Sequence, residues 1–284
     1  MKKKLGIFLG LTMLFSGAFY FLIARAGTMQ AQGGWYVFGL MSAPGISALI
    51  AMGLTERTLR GVGWKWGKTR WQLLSIALPL GLMVIVYGLI WLTGLGGVPN
   101  PEFVREITAE IGFPVSRNGA ILIYVLVSSA AGLVGTALPA LGEEIGWRGL
   151  LLPALYRSTG FTGAALISGL IWAVWHYPGM LLADYHGGAP IWFGMLCFTL
   201  MAVGFSFVLA WFRLKTGSIW TAMFLHASHN VFVQTIFTPL TADTGLTEFF
   251  VGEFGVGLAA GYLIAAVLFW KLREQLPPSP GSFS

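Results

Sequence analysis

The chain has 284 residues, of which 56% are hydrophobic and only 10% are charged, and its formal net charge is +6. In soluble globular domains about a quarter of the residues are charged, so this composition excludes a soluble globular protein. It predicts a polytopic membrane protein. The positive charge calls for no nucleic-acid partner, because the basic residues fall mainly in short loops between apolar runs, where they orient the chain and attract anionic lipid.

Eight apolar runs come close to the roughly 20 residues that a helix needs to cross a bilayer. The fold class is therefore predicted to be all-α, a polytopic membrane helix bundle of about eight transmembrane helices in one domain, residues 1–276. The tail at 277–284 is Pro-rich, and we expect it to be disordered. The predicted spans are Leu5–Ile23, Gly34–Leu54, Leu73–Leu95, Ala120–Leu141, Phe161–Leu182, Ile191–Phe212, Ser218–Phe237 and Phe249–Trp270.

The basic residues predict how these spans are oriented. If the N-terminal end of the first span is cytoplasmic, 14 of the 17 Lys and Arg residues fall on the cytoplasmic side, as the positive-inside rule requires. We therefore expect a multi-pass protein of a prokaryotic plasma membrane with both termini cytoplasmic. The first run, with Ala24-Arg25-Ala26 after it, also imitates a cleaved signal. Its 19 apolar residues exceed the usual signal core of about 7 to 15, which favours a retained span.

Few polar residues interrupt the later spans, and ionised groups in hydrocarbon usually mark function. Taking 157–160 and 213–217 as cytoplasmic bends, a rise of about 1.5 Å per residue predicts the depth of each polar residue. Glu143 and His176 then lie about 21 and 24 Å from the first bend, and His226 and Asn230 about 14 and 20 Å from the second. These four side chains are therefore expected to lie in one layer.

The two adjacent glutamates at 143–144 are predicted to have different roles. Glu144 and Arg148 are four residues apart and can pair across one helical turn, whereas Glu143 points about 100° away and is left without a cation. Glu143 is thus the candidate general base. The fourth span is too long for one straight helix, so a kink is expected at Pro139 or Gly142.

Three short motifs in this order resemble one known family, the CAAX-protease and bacteriocin-processing intramembrane endopeptidases, which include the type II CAAX prenyl endopeptidases. That family shows Glu-Glu-x-x-x-Arg, then Phe-x-x-x-His, then His-x-x-x-Asn or Asp on successive membrane helices. This chain has "EEIGWR" from Glu143, "WAVWH" ending at His176 and "HASHN" from His226. Trp172 stands where the family usually has Phe. The resemblance extends from about Leu141 to Asn230, inside a catalytic core predicted at 118–238.

The resemblance implies hydrolysis of a peptide bond in a membrane-associated or lipidated protein or peptide substrate, with surrounding lipid as the other partner. Glu143 would activate water, and His176, His226 and Asn230 would position the water, a metal or the oxyanion. Two readings stay open. Zinc or another divalent metal could be held by His176, His226 and Glu143 in a metalloprotease, or the glutamate could act without metal. The predicted catalytic residues are Glu143, Glu144, Arg148, His176, His226 and Asn230.

Two other kinds of function are compatible with polar residues inside a helix bundle. A proton- or ion-coupled transporter also places Glu and His inside a bundle, and a non-catalytic immunity or scaffold relative would keep the helices without the chemistry. The absence of an internal repeat disfavours the transporter, and the complete residue set disfavours the inactive relative. His186 and His229 are predicted to lie outside the site, and the lone Cys197 excludes an internal disulfide.

Overall fold

The apolar runs of the sequence form helices in the computed structural model, which describes residues 2–277. No β-strand occurs within these residues, so the predicted all-α bundle is confirmed. Most of the predicted tail lies outside the described residues. The helices are α1 (Lys2–Ala26), α2 (Trp35–Glu56), α3 (Thr69–Leu92), α4 (Pro101–Ile111), α5 (Arg117–Glu144), α6 (Leu152–Leu182), α7 (Ile191–Thr216), α8 (Ile219–Asn230) and α9 (Val256–Lys271), with π-helical segments at Ile145–Leu151 and Val231–Phe237.

Six helical stretches of the described chain are long and apolar enough to cross a membrane. The longest, Arg117–Leu182, contains two of the predicted spans and bends at Gly160, whose φ of 66° and ψ of −171° are not helical. This bend lies where the cytoplasmic turn was predicted. Large apolar side chains such as Leu92 and Val134 are exposed on the helices, as expected of surfaces that contact lipid. The total of eight spans stays a prediction.

The predicted inner and outer loops gather at opposite ends of the bundle. At one end Lys4 pairs with Glu56, and Lys215 donates to the carbonyl of Gln275. At the other end the side chain of Asp184 accepts from the backbone N–H of Met29. The grouping of loops agrees with the predicted topology, and the assignment of one end to the cytoplasm stays a prediction.

The break in the fourth span lies one turn later than predicted. Helix α5 continues through Pro139 and Gly142 to Glu144, and the backbone then widens into the π-helical segment 145–151. Gly142 serves close packing instead, because a Cβ there would lie 2.9 Å from the carbonyl oxygen of Met41 in α2. The π-helical segments begin directly after Glu144 and directly after Asn230. Such segments often occur at functional sites.

The eighth span also begins later than predicted. The sequence predicted a helix from Phe249, but α9 starts at Val256. Gly252 has a φ of 70°, a left-handed conformation that suits glycine and ends regular helix. The irregular residues before α9 turn Glu253 into the bundle, where it is 6% exposed.

Candidate active site

One cavity of about 300 Å³ is lined by residues of α1, α2, α5, α6, α7 and α8. Glu143, His176, His226 and Asn230, which the sequence predicted to share one layer, all line it. Much of the remaining wall is apolar or aromatic, and includes Val37, Phe38, Leu40, Met41, Phe198 and Met201. The bundle thus brings an acid, two imidazoles and an amide to one largely apolar space.

Glu143 is held by two tryptophans. Its side chain is at the end of α5, is 1% exposed, and accepts hydrogen bonds on Oε2 from Trp172 Nε1 at 2.8 Å and from Trp147 Nε1 at 3.2 Å. Both donors are neutral. As the sequence predicted, the carboxylate of Glu143 pairs with no cation within residues 2–277. The two indole N–H groups that orient it were not predicted.

Glu144 points away from the cavity and joins two basic side chains. Its Oε1 accepts from Arg148 Nη1 at 2.9 Å and from His226 Nδ1 at 2.9 Å, so the predicted pairing with Arg148 is present. Arg148 also donates to Ser206 and lies 4.7 Å above the ring of Trp172. Glu144 and Arg148 do not line the cavity. Glu144 binds Nδ1 of His226, and Arg148 binds Glu144, so the two residues together hold His226 in place.

The imidazoles of His176 and His226 each form a hydrogen bond through Nδ1. His176 Nδ1 lies 2.8 Å from the backbone carbonyl of Trp172, and a carbonyl only accepts, so Nδ1 donates. His226 Nδ1 donates to the Glu144 carboxylate in the same way. The Nε2 atoms of both rings are thereby left for the cavity. Trp172 separates the rings, with centroid distances of 5.4 Å to His176 and 5.3 Å to His226.

The predicted metal ligands do not form a recognisable metal site. In the part of the chain that the structure describes, no group of three or more His, Cys, Asp or Glu side chains is arranged to hold a metal ion. The hydrogen bonds already present do not exclude a metal, because both histidines are bonded through Nδ1, and a bond at that nitrogen commonly orients an imidazole that binds a metal through Nε2. Metal binding stays an untested prediction.

A second polar cluster on the same cavity was missed from the sequence. Glu253 Oε1 accepts from His229 Nε2 at 3.0 Å, and its Oε2 accepts from Tyr185 at 2.9 Å and from Gln234 at 3.0 Å. His229 Nδ1 lies 2.8 Å from the hydroxyl of Tyr262. The sequence placed His229 outside the site and gave no role to Glu253, which lies within the predicted eighth span. Only the position of His229, three residues after His226, could have suggested this cluster.

These features define the class: a multi-pass helical membrane protein with a buried glutamate and histidine site at the centre of its bundle. A family model described as "Type II CAAX prenyl endopeptidase Rce1-like" matches residues 119–232. That segment contains all six predicted catalytic residues. The predicted resemblance to this family is thereby confirmed for the part of the chain that carries the site.

Individual relatives agree with this match. The chain is 24% identical over 172 residues to "CAAX prenyl protease 2" of Methanococcus maripaludis. The aligned segment covers 59% of each protein. It is 28% identical over 205 residues, 72% of each protein, to the Bacillus subtilis protein named "Putative membrane peptidase YdiL". The chain thus spans under two thirds of the first relative's length.

Proposed function

We propose that this protein is an intramembrane endopeptidase that hydrolyses a peptide bond in a membrane-associated or lipidated substrate. The observation that carries the proposal is the convergence of Glu143, His176, His226 and Asn230 on one cavity. The apolar lining suits a substrate segment that is itself apolar or carries a lipid, because such a group is removed from water when it enters.

In this proposal Glu143 is the general base. It takes a proton from a water molecule in the cavity, and the water oxygen attacks the carbonyl carbon of the scissile bond. His176 is neutral with its proton on Nδ1, so its Nε2 can accept the second hydrogen of the same water. The proton held by Glu143 then passes to the leaving amine as the C–N bond breaks.

His226 and Asn230 are assigned to the oxyanion. The carboxylate of Glu144 holds His226 by Nδ1, and in the protonated ring Nε2 donates to the developing negative charge. Asn230 follows His226 by one turn and lines the same wall, so its amide can donate beside it. Arg148 donates to Glu144 and holds it in place.

The proposal is tested with purified protein in lipid nanodiscs. The probes are a quenched fluorescent peptide with a farnesylated cysteine, its unfarnesylated twin, and a labelled bacterial membrane proteome. Glu143→Gln keeps the shape of the side chain and removes the base, so we expect a loss of cleavage of about 10²- to 10⁴-fold. Glu106→Gln, at an exposed position of α4, is the control and should cleave normally.

Two results would reject the proposal: no probe is cut by the folded wild type, or Glu143→Gln cuts as fast as the wild type. Preference for the farnesylated peptide over its twin decides whether the lipid is recognised. Zinc is tested separately by elemental analysis of wild type and His176→Ala. One zinc per chain that disappears in the variant would assign a metal to this site.

A further inference from the structure

Two indole N–H groups donate to the same carboxylate oxygen of Glu143, the candidate general base. Trp147 comes from the π-helical segment and Trp172 from α6, and both donate to Oε2 of Glu143. The two side chains are 1% and 3% exposed, so water does not compete for these bonds. Oε2 therefore has both of its lone pairs engaged.

The other oxygen, Oε1, is left for the cavity that Glu143 lines. We propose that Trp172 is a positioning residue which, together with Trp147, holds Glu143 by Oε2 and so assigns Oε1 as the atom that takes the proton from water. This inference rests on the endopeptidase function proposed above. It names which oxygen forms the new O–H bond when the O–H bond of the water breaks, and it explains how two neutral donors fix the direction of a buried carboxylate.

Trp172 is central to the arrangement in ways that do not depend on its N–H. Its ring packs against His176 and His226, and the guanidinium of Arg148 lies above it. Its backbone carbonyl accepts from His176. Phenylalanine would keep an aromatic ring and the carbonyl but would have no donor for Glu143. Trp172→Phe thus isolates the one hydrogen bond in question.

The kinetic test compares Trp172→Phe with wild type on whichever probe is cleaved. We expect kcat to fall about tenfold, with KM changed less than about twofold, because loss of a hydrogen bond to a charged group affects the base and leaves the apolar wall intact. Trp147→Phe should act in the same direction and serves if Trp172→Phe does not fold. In a Glu143→Gln background, Trp172→Phe should add almost nothing.

Trp211 supplies the matched control. It is 4% exposed, and its indole N–H donates to the carbonyl of Leu272 away from the cavity. Trp211→Phe therefore removes an equally buried indole donor and should leave kcat unchanged. Equal losses in Trp211→Phe and Trp172→Phe would show a general effect of deleting such donors and overturn the proposal.

A readout that does not need activity separates this inference from the proposed function. Infrared difference spectra against Glu143→Gln identify the carboxylate bands of Glu143. We expect these bands to shift in Trp172→Phe and Trp147→Phe and to stay in place in Trp211→Phe. Shifted bands in a protein that cleaves nothing would reject the endopeptidase and retain the indole contact. Unshifted bands with wild-type kcat would reject the positioning role itself.

Discussion

Glu144 and His226 lie 82 residues apart in the chain, and their side chains meet in a hydrogen bond of 2.9 Å between Oε1 and Nδ1. The same oxygen accepts from Arg148. One carboxylate oxygen thus joins the end of α5, the π-helical segment that follows it, and α8. Because Nδ1 is fixed in this way, the imidazole presents Nε2 to the cavity, and its orientation is set before any substrate arrives.

Replacing His226 should damage catalysis more than stability. In His226→Gln the oxyanion loses its proposed imidazolium donor, so we expect kcat to fall about 10²- to 10³-fold. Thermal unfolding in detergent should change little, because Glu144 keeps its bond to Arg148. The matched control is His186→Gln, at an exposed position of an outer loop. A wild-type kcat in His226→Gln would contradict the role given to this residue.

Arg148 should matter chiefly for stability. It is 1% exposed at the side chain and holds both Glu144 and Ser206. Arg148→Met leaves Glu144 with less compensation for its buried charge, and we expect the free energy of unfolding to fall by about 3–5 kcal/mol. Arg148→Lys keeps the charge but lacks the planar fork that reaches two partners, so its loss should be smaller.

The control for Arg148 is an exposed pair of the same kind. Arg105 lies 3.7 Å from Glu102 on α4, with both side chains largely in solvent. Arg105→Met should change the free energy of unfolding by less than about 1 kcal/mol. Similar losses in the Arg105 and Arg148 variants would mean that the buried pair contributes no more than a surface one.

Residue spacing was sufficient to predict one side-chain pair and one group of residues that share a layer. The pairing of Glu144 with Arg148 follows from helix geometry alone, and the common layer of Glu143, His176 and His226 follows from counting residues from the bends. Both arguments need only regular helices. They do not predict side-chain rotamers, and so the indole bonds from Trp172 to Glu143 were missed.

Irregular backbone explains the other failures. Apolar runs indicate where a span lies, but they do not show that residues 249–255 leave the helix and turn Glu253 inward.

Arg213 is another residue whose surroundings the sequence did not predict. It was counted among the cytoplasmic loop residues, yet it is 7% exposed and donates to backbone carbonyls, including that of Arg148. The long Arg side chain reaches into the bundle from the end of α7, which residue counting cannot reveal.

Glu253 should stabilise the fold around the cavity. It accepts from three side chains that come from an outer loop, α8 and the segment after α8. Glu253→Gln keeps the shape but loses the charge that strengthens these bonds, and we expect the free energy of unfolding to fall by about 2 kcal/mol. Thermal unfolding in detergent measures this. Glu248→Gln, exposed a few residues earlier, should leave the unfolding midpoint unchanged; an equal drop there would contradict the prediction.

Asp184 should make the contact between two outer loops pH-dependent. It accepts from the backbone N–H of Met29 at 2.6 Å and from the hydroxyl of Thr28 at 2.7 Å. These bonds to the ionised form lower the pKa of Asp184 below its usual value of 3.8. Since the folded pKa is the lower one, the stabilisation is complete above 3.8 and is lost as the pH falls through the folded pKa.

The variant Asp184→Asn tests the predicted direction of this pH dependence. Its unfolding midpoint should lie below that of the wild type by the same amount at about pH 7 and about pH 5, and the gap should close only at pH values below 3.8. Asp243→Asn is the control, because Asp243 accepts from Gly245 within its own turn and joins no second loop. A gap that closes already between about pH 7 and pH 5 would mean that a different group titrates, since a lowered carboxyl pKa cannot act in that range.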